Sequence, residues 1–575
     1  MFTQDLYNKG VALANLHNFV EALACFNEIL RFNPDDADVL YNKGVALAAL
    51  HEYEEAIFYY GQSLKINPYN ADALNNLGVA FASLKKFDEA ILYFDKVLAI
   101  NPNHELVLIN KGGALAKLKK YDEAILYFDK VLRINPDNAD VLYNKGATLA
   151  SLGRFTEAIA CYDQVLRLNP HNAEALNNKG VAYASLKRYE DAIVSFDKAL
   201  SIHPDYKHAL HNKGHACAKL KKYREAITCY DQILAISPDS TDVLNSKGVA
   251  LDDLKKYPEA IACYDQILTI SPQNTDALNN KGVAYAALEK YEEAILCYNQ
   301  FLRINPKNVL VLVNKGRALA RLKRNDEAIA CFDEALLISP YYADALYNKG
   351  IALSGLEKYE EALLCFDKVL GINPDNADAL NDKGVTLANL SRHDEAVFWY
   401  HKALRINPDN TDAMNNLGVA YAAKKRFDEA IIWFDRALAI TPKHELVLMN
   451  KGGALADWER YTESVACFDE VLSMHPDNAE ALYNKGVNLA NLSRYDEAIL
   501  CFDHFLKLHP GNADALNNKG VAYAALKKYE EAILYFDETL KTHPENEFAR
   551  FIKGITLAAL KMFDEVTASF DVTKG

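Results

Sequence analysis

Tryptophan occurs 3 times and methionine 5 times in 575 residues, and no apolar run approaches the roughly 20 residues a membrane-spanning helix needs. A helical membrane protein is excluded on that ground. Positive charge is short as well: 63 Lys and Arg face 78 Asp and Glu, for a formal net charge of −15. Nucleic acid and anionic membrane surfaces call for a basic face, so neither is an expected partner. No apolar leader opens the chain at Met1-Phe2-Thr3, and a cytoplasmic location is expected. Catalytic signatures are missing too. There is no glycine-rich phosphate loop, no Gly-x-Ser-x-Gly and no His-Glu-x-x-His, so neither an enzyme nor a bound cofactor is expected.

What is present is a period. Glycines recur from Gly10 through Gly44, Gly78 and Gly282 to Gly554, 17 in all, and every interval is 34 residues. A fixed period of this length marks tandem structural repeats. It overrides the several separate domains that 575 residues would otherwise suggest. Repeats are numbered 1–17 here by these glycines.

Repeat 9 serves as the example. Pro272 cannot continue a preceding helix, and Gln273-Asn274-Thr275 offers capping groups for the next one. Leu278, Val283 and Leu288 mark an apolar stripe, Glu289-Lys290 breaks it, and Tyr291 opens a second helix with Glu292-Glu293 in its first turn. Acids there favour the helix dipole, which accounts for such pairs without any acid–base role. Ala294, Ile295, Tyr298, Phe301 and Leu302 then recur at helical spacing up to Pro306. Each repeat therefore reads as helix–turn–helix. A glycine inside a helix costs about 1 kcal/mol against alanine, so its recurrence needs a steric reason, and close approach of two helices supplies one. Alanine matches Ala294 in every repeat except at Ser464 and Val566, and an aromatic matches Tyr298 in every repeat, ending at Phe570.

Nine of the 10 cysteines fall at one repeat position, directly before that aromatic. Stacked helix pairs stand about 10 Å apart, too far for the Cα separation of a disulfide, so these are expected to be reduced core residues.

The pattern carried by Leu278, Gly282, Tyr285, Ala294, Tyr298 and Pro306 resembles the tetratricopeptide repeat, over residues 3–575. Leucine stands where that family often has tryptophan, and Lys281 occupies a commonly apolar position. The resemblance implies an all-α, right-handed α-solenoid without strands: one continuous superhelix of 17 repeats, the last incomplete, with first helices lining the concave face. It also implies a scaffold that binds proteins or peptides.

Asparagine stands two residues before the glycine in 14 repeats; Ser246, Asp382 and Ile552 are the exceptions. An amide offers both a donor and an acceptor and can hold an extended backbone without reading its sequence. The position resembles the asparagine ladder in the superhelix of O-linked N-acetylglucosamine transferases, whose catalytic region has no counterpart here. The candidate peptide-binding residues are Asn42, Asn76, Asn110, Asn144, Asn178, Asn212, Asn280, Asn314, Asn348, Asn416, Asn450, Asn484 and Asn518. The alternative is that each ties its helix to a neighbouring repeat. The basic clamp that related repeats use for chaperone C-terminal carboxylates is missing, since Tyr41, Val45, Asp72 and Asn76 hold the matching sites.

Eleven repeats carry Asp or Glu six before the glycine. On a concave face these would attract basic segments; otherwise they favour the helix dipole. Apart from Gln4 in the first repeat, their exceptions are ordered, each following a repeat with an Asn-Asn pair. Leu106, Ile109 and Gly113, then Leu310, Val313 and Arg317, then Leu446, Met449 and Gly453 share one helix face. Leu106, Ile109, Leu310, Val313, Leu446 and Met449 are candidate apolar anchors for a bound segment, or else internal packing. At the same offsets His208, His211 and His215 could hold a metal ion. Repeat 17 departs from the pattern at Arg550, Ile552 and Val566, is expected to stop within its second helix, and lacks a polar cap, so self-association through the C-terminal end is a further expectation. The reading is a non-enzymatic scaffold for extended protein segments, with a self-assembling rod or a metal-binding module as alternatives.

Overall fold

The computed structural model describes residues 2–572, with side chains over 3–562. All regular structure among them is α-helical, in 33 helices with no strand. From repeat 2 to repeat 16 a first helix of 13 residues alternates with a second of 14, as in Ala37–Ala49 and Tyr53–Ile66. The chain divides between Leu288 and Glu289 into two compact bodies. The N-terminal body ends with the first helix of repeat 9, and the C-terminal body begins with its second.

Local chemistry sets the ends of each helix. Ahead of the first helices from repeat 2 on, a proline closes the preceding helix, and in most repeats an asparagine or aspartate side chain takes up the amide three residues on. His104, Tyr206, Ser240, Tyr342 and His444 stand at that place without such a bond. Asn274 accepts from the Ala277 amide at 3.0 Å and Asn172 from that of Ala175 at 2.9 Å. The reversal into the second helix runs through a left-handed residue seven after the glycine in repeats 1–16, such as Lys85 at φ 61° and Gly153 at φ 83°. Repeat 17 differs from expectation. It is one uninterrupted helix, Glu547–Val572, and not a helix–turn–helix. Its sequence gives the reversal little to hold it: exposed Met562 replaces the polar residue that follows the left-handed one elsewhere, and branched Val566 replaces the small residue of the second helix. The side chains of Val566 and Phe570 lie outside the described residues.

The periodic glycine has a definite neighbour. At 15 of these glycines an added Cβ would lie 2.5–2.9 Å from a ring carbon of the Phe or Tyr 16 residues later in the same repeat. Gly180 meets Phe196 in this way and Gly248 meets Tyr264. The small residue 12 after the glycine lies on the glycine backbone itself, as buried Ser464 shows by donating to the Gly452 carbonyl at 2.6 Å. Ring and small residue together bring the two helices of a repeat into contact. All 10 cysteines are buried free thiols.

Within each body, consecutive helices pack in order. First helices also approach the first helix of the next repeat closely, whereas the backbones of successive second helices stand farther apart. The row of first helices is therefore the tighter, inner row of each body.

One half-buried acid interrupts the regularity. Four residues after the glycine, 16 repeats carry alanine or serine; repeat 8 carries Asp252. Tyr264 donates to its Oδ2 at 2.7 Å, while Oδ1 is buried without a partner. Burial raises the carboxyl to about 6 from an ordinary 3.8, against the opposing hydrogen bond from Tyr264.

Two outcomes follow. Gly180→Ala should destabilise the protein by about 1–3 kcal/mol through overpacking on Phe196, despite the better helix propensity of alanine. Urea unfolding checks this, and a neutral or stabilising result removes the steric explanation. For Asp252 the folded-state pKa is raised, so the folded chain binds the proton more tightly than the unfolded chain. Stability relative to Asp252→Asn should therefore fall by up to about 3 kcal/mol between pH 4 and pH 6 and stay flat above. A difference between the two proteins that is independent of pH would contradict the burial account.

Candidate functional site

The inner row exposes a constant set of positions: six before, two before, one after and five after each glycine. These offsets fall on one stripe of an α-helix. The residue six before the glycine is exposed in every repeat from 2 to 17.

The asparagines two before the glycine lie between neighbouring first helices, mostly half-buried. In nine repeats the amide donates to the side chain 35 residues back, three before the preceding glycine. Asn42, Asn76, Asn178 and Asn518 donate to the hydroxyls of Tyr7, Tyr41, Tyr143 and Tyr483 at 2.9–3.1 Å. Asn110, Asn212, Asn280, Asn416 and Asn450 donate to the amide oxygens of Asn75, Asn177, Asn245, Asn381 and Asn415 at 2.9–3.1 Å. Repeat 12 reverses the polarity, Tyr347 donating to Asp382 at 2.6 Å. The Asn-Asn pairs extend the chain of bonds, since Asn75 in turn donates to Asn76 at 3.2 Å. Amide donors on this row are thus largely occupied by inter-repeat bonds.

The exceptions follow the apolar residues. Behind Ile109 and Met449 the next amides, Asn144 and Asn484, have no hydrogen-bond partner, and Asn144 is exposed. Behind Val313, Asn348 turns to the Asp344 carbonyl of its own helix at 2.7 Å. Asn314 is half-buried at the start of the C-terminal body. An apolar side chain cannot accept the bond, so the following amide is released.

Leu106, Leu310 and Leu446 are 53%, 52% and 55% exposed on the inner row. Ile109 and Met449 are half-buried beside them. Val313 is a correction: it is 2% exposed and belongs to the core, the β-branched side chain being short enough to tuck between repeats. The histidines do not converge as a metal site would require. His211 and His215 stack edge-to-face at 4.6 Å beside Tyr230, whereas His208 is turned to Tyr206. Among the described residues no group of three potential ligands could hold a metal ion. Spacing along one helix placed the rings on one side, but their packing on different tyrosines separates them. Burial holds both His211 and His215 below the ordinary imidazole range, which keeps them neutral at pH 7.

Sequence reasoning missed the role of the lysine beside the glycine. In 12 repeats it pairs with an aspartate 16 residues earlier, on the second helix of the preceding repeat. Lys145 reaches Asp129 at 2.6 Å and Lys179 reaches Asp163 at 2.5 Å. Burial of Lys213 acts against its charge, but Asp197 more than compensates and the ammonium is held above its ordinary range. The signal was in the sequence: where Gly61 and His401 replace the aspartate, Leu77 and Leu417 replace the lysine. By contrast, none of the 11 acids six before the glycine forms an ion pair. Four basic residues share the inner stripe, Lys117, Lys219, Arg317 and Arg321, all in repeats that lack the acid.

Comparison with known proteins follows the same register. The family described as tetratricopeptide repeat matches residues 37–70, 71–104, 106–138, 209–240, 275–308, 343–376 and 377–410. Further forms of it match 143–207, 400–445, 450–503 and 483–547, and 241–274 and 309–342. Among curated proteins none matches. Similar solved structures include YrrB, a protein with an unusual peptide-binding site, at 28% identity over 33% of this chain and 97% of that one, with a TM-score of 0.30. A tetratricopeptide repeat protein from Parabacteroides merdae is 19% identical over 43% of this chain and 98% of that one, with a TM-score of 0.36. Yeast Tom70 is 16% identical over 76% and 99%, also with a TM-score of 0.36. The matched segments cover well over half of the chain in the same 34-residue register as its glycines, and the protein belongs to the tetratricopeptide repeat family.

Proposed function

We propose that the protein is a non-enzymatic, cytoplasmic scaffold that binds extended protein segments along its inner row of first helices. Its partners are polypeptides; nucleic acid and membrane are disfavoured by the charge, and no cofactor takes part. The observation that carries the reading is the coincidence of an exposed leucine with a released amide. Leu106 is followed by Asn144, and Leu446 by Asn484. There are two such places, one in each body, and each offers an apolar anchor and a free backbone-binding donor. Nine of the thirteen asparagines are bonded to the preceding repeat, and Asn144 and Asn484 are released. Those bonded to the preceding repeat hold the row in register and present their remaining oxygens, while the released ones contact the ligand through the amide.

A second reading is self-association. Phe548, Phe551 and Ile555 are 52%, 67% and 52% exposed on the last helix, a patch that a second copy could cover. Light scattering against concentration separates the two readings, a constant monomer mass excluding this one.

For the scaffold reading, peptides selected from a random display library against the full chain serve as ligands. Leu106→Asp with Leu446→Asp, at exposed positions, should weaken them at least tenfold with unchanged circular dichroism. Asn144→Ala should weaken binding without lowering stability, whereas Asn178→Ala should lower stability by about 1 kcal/mol through its bond to Tyr143. If the aspartate pair binds the peptides as tightly as the wild type, the groove reading is wrong.

A further inference from the structure

The 11 acids on the inner row differ from other periodic acids of the chain. Aspartates on the second helices pair with lysines of the next repeat, and glutamates early in the second helices pair with arginines three residues before, as Glu157 does with Arg154. The inner carboxylates, among them Asp38, Asp72, Asp140 and Glu174, are exposed and have no cation. They also come in blocks around the anchors: two repeats with an acid, then Leu106, then two more with an acid. A further observation points the same way. Asn517, one turn on from Asp514, is 4% exposed and its Oδ1 is buried without a partner. Ile552 stands where other repeats supply the amide that would fill it. In repeat 16 of the C-terminal body this leaves, one helical turn from an unpaired carboxylate, a hydrogen bond that the chain itself does not fill.

Resting on the scaffold reading, we infer that the occupant is an extended segment of a partner protein bearing Lys or Arg on both sides of an apolar residue. Neighbouring first helices stand about 8–10 Å apart, and an extended chain advances roughly 3.3 Å per residue, so about three ligand residues pass each repeat. The acids of repeats 2, 3, 5 and 6 around Leu106 then match the pattern Lys-x-x-Lys-x-x-Leu-x-x-Lys-x-x-Lys. This pattern reads alike in either direction, so binding polarity does not enter. A second copy of this chain, at net charge −15, is a poor occupant of an acidic row.

The test uses the full chain and fluorescein-labelled peptides of that pattern with serine at the open positions, followed by anisotropy. The lysine peptide should bind, and should weaken at least tenfold when its lysines are replaced by glutamine. Replacing its leucine with serine should also weaken it about tenfold, and so should raising the salt from 0.05 M to 0.5 M. A variant with all 11 inner acids changed to their amides, checked for folding by circular dichroism, should lose at least tenfold for the lysine peptide only. Equal binding of lysine and glutamine peptides overturns the charge requirement and leaves the groove reading intact. Equal binding of leucine and serine peptides reduces the site to a general polycation surface and overturns the inference. If the lysine peptide fails while display-selected peptides bind, this inference alone is wrong.

Discussion

Fifteen of the repeats rest on one steric fit, the aromatic ring seated where a Cβ of the glycine would be. A side chain as small as alanine would have to stand within 2.9 Å of the ring at any of 15 positions. Contacts this close are not relieved by small rotations, because the ring is itself fully buried; Phe94, Phe128 and Phe196 are each 0–1% exposed. The fit fixes the relative rotation of the two helices in a repeat, and with it which first-helix residues point inward. A glycine that weakens its own helix by about 1 kcal/mol is tolerated because it admits a ring that buries far more apolar area.

Two kinds of polar contact then hold one repeat to the next. The lysine–aspartate pairs link a first helix to the preceding second helix, and the asparagine bonds link adjacent first helices. A hydrogen bond of this sort contributes about 1 kcal/mol net, while an unfilled buried partner costs more than that. Replacing the acceptor by Ile109 or Met449 at the same time as exposing the following amide avoids the larger penalty. Such positions are therefore affordable only where the amide reaches solvent, as that of Asn144 does, or a carbonyl of its own helix, as that of Asn348 does.

Helix pairs, their caps and their small and aromatic contacts were all readable from the sequence, because each is a local pattern repeated at a fixed interval. Asn274 as a cap and Gly180 opposite Phe196 are cases in point. The partners of the asparagines were not, because the amide of Asn178 looks the same whether it faces solvent or Tyr143. Val313 and Leu310 likewise differ only in how far each side chain reaches from the helix, and packing decides that one is core and the other surface. The uninterrupted course of the last helix depends on a reversal being held by tertiary contacts, which local signals at Lys561 do not reveal. Three histidines at spacings of three and four suggested a metal site, since spacing defines a face but not the direction of each ring.

A row of unpaired acids would be expected to strain the inner face by mutual repulsion. At about 10 Å in water, two unit charges repel by roughly 0.4 kcal/mol before screening, and the Debye length at physiological salt is about 8 Å. Adjacent repeats therefore disturb one another little, and Leu106, His208, Leu310 and Leu446 break the row into blocks of two or three acids. The basic residues of the same stripe fall only in those breaks, at Lys117, Lys219, Arg317 and Arg321. Stability thus places only a weak constraint on charge along this row, unlike the positions that join repeats. Lysine is lost together with aspartate at Leu77 and Leu417 but is kept beside Asn27 and Asn299, as Lys43 and Lys315, whereas the inner acids hold their place without any cation from the chain. Folding accounts for the first pattern. Only part of the second is explained by the dipole of the first turn: in repeats 4 and 14 Glu105 and Glu445, next to the leucine, serve that dipole, but repeat 10 has leucine at the position and no acid in its first turn.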